Sequence, residues 1–64
     1  MLFYVDCQNR PRQRTSSPEE VIQILRAYMV PSDSITIQYL ENMDVGQVTT
    51  TQWGFVSADV IRVE

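Results

Sequence analysis

The chain reads as a small two-layer α+β domain of order β-α-β-β-β, with one helix packed on one face of a three- to four-stranded sheet. Three observations predict this. A continuous apolar run, Leu2 to Val5, lies near the start; one strongly marked helix start follows at Ser17-Pro18-Glu19-Glu20; and three later stretches alternate or are rich in branched residues, with turn residues between them. Sixty-four residues make a single domain, and one of this size buries only about 60% of the surface its unfolded chain exposes.

Residues 1–6 combine aromatic and branched side chains and are too short for a helix, so they predict a first, interior strand. Residues 7–16 carry Pro11, three arginines and hydroxyl residues without periodicity, which predicts a loop. Ser17 then offers an N-cap, Pro18 sits where a missing N–H costs nothing, and Glu19 and Glu20 face the positive end of the helix dipole. The helix is predicted over 18–29, with Val21, Ile22, Leu25, Tyr28 and Met29 on one face, and Pro31 ends it. Ile35, Ile37 and Tyr39 alternate and predict a strand over 35–40. Residues 47–53, with three successive threonines, predict a strand forming a hairpin with it. Asp59 to Val63 alternates again and predicts a last strand, 59–63. Trp53, Val56, Val60 and Val63 also fall at helical spacing; Gly54 and the branched residues favour turn plus strand, with a second helix as the alternative.

Gly54-Phe55-Val56-Ser57-Ala58-Asp59-Val60-Ile61 resembles the end of an SH3-type barrel, in which Gly, an aromatic and Val close one strand and a short 3₁₀ turn leads to the last. The resemblance covers eight residues. It implies a turn and a strand there, and no ligand-binding residues follow from it.

The apolar share is 44% and the charged share 20%, the composition of a folding chain rather than a disordered one. With Cys7 alone and no histidine, neither an internal disulfide nor a Cys/His zinc site can form. No segment approaches the roughly 18 to 20 apolar residues of a membrane span, and no secretory signal pattern is present. A cytoplasmic, soluble protein without membrane association is expected. The net charge of −3 argues against a broad nucleic-acid surface.

That charge is unevenly distributed. Arg10, Arg12 and Arg14 place three of the five basic residues in one loop, while the remainder of the chain carries six net negative charges. Guanidinium forks suit a phosphate or an acidic partner, and equally the chain's own acids, Glu19 and Glu20 being nearest; the residues leave both open. Trp53 and Phe55 flank a glycine near a bend and suit an exposed interface anchor; the other aromatics fit core positions. Cys7 fits packing better than nucleophilic chemistry, since no histidine can activate it. Asp33, Glu41 and Asp44 match no metal loop, and Ser17 is better explained as a cap than as a kinase site.

Without histidine and with little room for a water-excluding pocket, the chain is expected not to be an enzyme and to need no cofactor or metal. The expected function is a small acidic regulatory module that occupies a protein partner sterically. In size and charge it resembles inhibitors of the kind phages and mobile elements encode against host defences. The alternative is a nucleic-acid accessory protein that contacts phosphates through Arg10, Arg12 and Arg14. The first strand is apolar on both faces, so the sheet face away from the helix calls for a cover: a flap from residues 53–56, a partner, or a second copy docking on that face or on an edge strand.

Overall fold

A computed structural model describes residues 1 to 64. Six elements follow in order: β1 (Phe3–Cys7), β2 (Gln13–Thr15), α1 (Pro18–Ala27), α2 (Ile37–Glu41), β3 (Val48–Trp53) and β4 (Val56–Arg62). The strands form one antiparallel sheet in the order β2-β1-β4-β3. The helices lie on one of its faces, so the expected α+β two-layer class is present. The connectivity differs, because the order is β-β-α-α-β-β.

Inside-facing residues of β1 and β4 build the floor of the core. Phe3, Val5, Ala58 and Val60 are at most 2% exposed, and Val21 and Leu25 of α1 close over them at 0%. The register sets Val5 opposite Val60 and Cys7 opposite Ala58, so each inward side chain packs beside another. Val30, Ile35, Leu40 and Met43 complete the core from the segment after α1.

Helix α1 begins as its sequence indicates. Ser17 Oγ accepts the N–H of Glu20 at 3.4 Å, but the reciprocal half of the capping box is not made. Glu20 instead accepts from Thr15 Oγ1 at 2.8 Å, and Thr15 Oγ1 accepts the N–H of Ser17 at 3.2 Å. The helix stops at Ala27, two residues earlier than expected. Met29 adopts φ 58°, its N–H bonds Arg26 O at 3.0 Å, and the N–H of Val30 bonds Leu25 O at 2.9 Å. This is a Schellman cap, with the apolar Val30–Leu25 pair that accompanies it.

The strand expected over 35–40 is absent, and so is its hairpin with residues 47–53. Thr36 Oγ1 accepts the N–H of Tyr39 at 3.0 Å and caps the short helix α2. Ile35, just before the cap, and Leu40, four residues after it, are both buried, as in a hydrophobic staple. The 35–37–39 alternation therefore does not mark one buried face: Ile37 and Tyr39 remain about 40% exposed.

The expected loop 7–16 contains β2, which pairs with β1 as Phe3 opposite Thr15, Tyr4 opposite Arg14 and Val5 opposite Gln13. At the other end, β4 starts at Val56 rather than residue 59 and runs unbroken to Arg62. Neither a second helix nor the short turn implied by the SH3-type resemblance interrupts it. Gly54 and Phe55 instead form the two-residue turn between β3 and β4. Gly54 has φ 61° and Phe55 does not have positive φ, the arrangement of a type II′ hairpin.

Candidate functional site

The two hairpins and the C-terminal end of α1 meet at one end of the sheet. There a cleft of about 300 Å³ is lined by Cys7, Arg10, Tyr28, Val30, Phe55 and Val56, among others. Local bonds hold its walls. Arg10 N–H bonds Cys7 O at 3.0 Å and Gln8 N–H bonds Ser57 O at 3.0 Å, which ties the β1–β2 turn to β4. Gln13 Nε2 donates to the Tyr28 hydroxyl at 3.4 Å, and the Arg10 guanidinium lies 4.9 Å from the centre of the Tyr28 ring.

Large apolar side chains project from this end. Phe55 is 98% exposed, Trp53 72%, and Met29, between the lining residues Tyr28 and Val30, 85%. Single exposed apolar residues are ordinary, but local geometry does not explain these. The II′ turn needs glycine only at its first central position, which Gly54 fills, so nothing in the turn asks for a phenylalanine beside it. Met29 occupies a left-handed position where Gly or Asn is usual, at a conformational cost of about 1 kcal/mol.

The three loop arginines, expected as one contact, are separated. Arg10 bends toward the helix side and joins the cleft. Arg12 lies on the opposite sheet face: its Nε and Nη2 bond both oxygens of Asp6, each at 2.8 Å, and it stacks 4.7 Å from the Tyr4 ring. It thus pairs with the chain's own acid, although with Asp6 rather than Glu19 or Glu20. This bidentate bond holds the Asp6 carboxyl below its ordinary value against a smaller opposing effect of burial. Arg14, opposite Tyr4 in the register, is exposed and joins no ion pair or aromatic ring.

The open sheet face is therefore mixed in character. One cross-strand row reads Arg14, Tyr4, Ile61, Val48, and in the next Asp6 stands opposite Asp59 and Asp59 opposite Thr50. Like charges directly opposed are unfavourable; Arg12 satisfies the first carboxylate and the Thr50 hydroxyl, donating at 2.7 Å, the second. Residues 53–56 do not fold over this face as a flap. Arg12 does cover part of Tyr4, its guanidinium lying over the ring.

Cys7 is 6% exposed. Burial, followed by the nearby Asp6 charge, pushes its thiol above the ordinary value, and Arg10 only partly offsets them. Such a thiol stays protonated and poorly nucleophilic. No group of three or more His, Cys, Asp or Glu side chains gathers as cation ligands, and no helix is long and apolar enough to cross a membrane.

Trp53 and Phe55, expected to be exposed, are so, whereas Tyr28 and Met29, expected on the buried face of α1, are half-buried and exposed. The signal for Met29 was Pro31 two residues on, which marks a helix already closing. No protein-family model, curated protein or solved structure matches this chain.

Proposed function

We propose that the chain is a non-enzymatic binding module that acts by occupying a protein partner, and that Trp53, Phe55 and Met29 are its anchors. The observation that carries this reading is the near-complete exposure of Phe55 at the tip of a two-residue turn, beside a cleft whose walls are part apolar and part polar. Interfaces draw most of their energy from a few such side chains, aromatic ones above all. Met29 supports the reading because the backbone there favours a glycine. Arg10, held on Tyr28 at the cleft, supplies a cation beside the apolar group and suits a partner surface with an acidic rim. Inhibition of the partner would be steric, the module covering its working surface.

Phosphate contact by the arginine loop has less support. Arg12 is neutralised by Asp6, Arg10 stacks on Tyr28, and Arg14 shares its face with Asp6 and Asp59.

The test is a comparison of two variants in capture from a lysate of the source cell. Phe55→Ser combined with Trp53→Ser should lose a stoichiometric protein partner while circular dichroism stays native. Replacing Arg10, Arg12 and Arg14 together by Ala should weaken capture by no more than about tenfold, as expected of rim contacts. Loss of the partner only in the arginine variant would reverse the assignment.

A further inference from the structure

The two edges of the sheet differ in a way that points to self-association. Strand β2 is a poor template for another strand, since it has three residues and carries Arg14 at its centre. Strand β3, at the other edge, has six residues, Val-Thr-Thr-Thr-Gln-Trp, with no charge and no proline. All but glutamine are strong strand formers. Short length, charge and proline are the usual protections of an exposed edge, and β3 has none of them.

The hydrogen-bond alternation identifies the free groups. The two-residue turn makes Trp53 and Val56 a mutually bonded pair, and Arg62 N–H bonds Gln47 O at 3.1 Å. Thr49, Thr51 and Trp53 therefore face β4, as does the C=O of Gln47, whose N–H bonds Asp44 O instead. Val48, Thr50 and Gln52 direct their N–H and C=O outward, and no other backbone or side-chain group in the chain bonds them.

We propose that β3 pairs antiparallel with β3 of a second copy about a two-fold axis at Thr50, making one continuous eight-stranded sheet. In this register Thr50 bonds Thr50 of the second copy, and Val48 bonds Gln52 of the second copy in both directions. All six outward groups of each strand are then satisfied, and residues brought opposite share a sheet face as the pleat requires. The second copy is the occupant because the strand is its own complement. The neutral edge meets no like charge, Thr stands opposite Thr, and the basic edge of each copy remains outermost. Trp53 of each copy lies about 20 Å from the other along the strand direction. The two hairpin tips thus point to opposite ends and stay free, so the dimer would carry two anchor sites.

Sedimentation velocity and light scattering of the intact chain from low micromolar to millimolar concentration test this. A mass twice the 7.4 kDa of one chain is expected. Thr50→Pro removes an N–H that β4 does not use and should raise the dimer dissociation constant at least tenfold. Val48→Lys combined with Gln52→Lys, which leaves the backbone intact and sets two pairs of cations across the axis with no carboxylate opposite either position on β4, should do the same with native circular dichroism. It decides the matter if the proline variant does not fold. Phe55→Ser should dimerise normally, which separates this proposal from the partner-binding one. A monomer throughout the range, a dimer that the folded double-lysine variant leaves unchanged, or a monomer that takes up an extended peptide on β3 would each overturn it.

Discussion

Three residues show how local chemistry separates packing from function. Asp6 holds a bidentate arginine and has a lowered pKa. The folded state therefore binds this proton less readily than the unfolded state. The resulting stability is in place well above the ordinary aspartate value of 3.8 and is lost as pH falls through the lower folded value. Asp6→Asn should flatten the acid limb of a pH–stability curve while changing stability little at neutral pH, the ordinary result for an exposed pair. Met29 makes the opposite point. Met29→Gly should raise unfolding free energy by about 1 kcal/mol, because glycine adopts the left-handed cap without strain, while weakening partner binding. Cys7 should react slowly with a thiol reagent in the native protein and rapidly in denaturant, following its burial and raised pKa.

At the scale of elements, the sequence was legible where one chemical signal dominated. The Ser17-Pro18 start of α1 and the continuous apolar run of β1 could be read directly. The 35–40 segment could not, because Ile35 and Tyr39 fit a strand of period two as well as a cap and a turn of helix. Thr36 decides it by accepting the Tyr39 N–H, and the burial of Ile35 with Leu40 closes the staple. Strand β2 was hidden because Gln13-Arg14-Thr15 has almost no apolar signal; β1 beside it supplies the pairing partner. Of the candidate site, the exposure of Trp53 and Phe55 could be expected from the glycine between them. The separation of the arginines depended on β2 forming, which turns Arg12 to one face and leaves Arg10 at the sheet end. Ser17→Ala should cost about 1 kcal/mol in chemical denaturation through loss of the cap. Gly54→Val should cost more than the cap, because a branched residue cannot occupy φ 61° without strain.

The whole molecule combines a minimal core with surfaces that the core does not require. Eleven residues form that core, and a domain this small has little stability in reserve. Leu25→Ala, which leaves a cavity beneath the last turn of α1, should cost about 2–5 kcal/mol and leave the chain largely unfolded at 37 °C by circular dichroism. Phe55→Ser should not change the melting temperature, since the side chain is 98% exposed. That contrast separates what holds the fold from what the fold presents. The acidic body, the basic edge strand and the apolar hairpin end are three distinct surfaces, and the proposed partner affinity belongs to the last.

The most direct measurement of that assignment is photo-cross-linking in the source cell from a benzoylphenylalanine placed at position 55, compared with one at Gln23 on the solvent side of α1. A single discrete protein adduct from position 55 and none from position 23 is the expected result. Equal labelling from both positions, or a discrete adduct from position 23 alone, would contradict it.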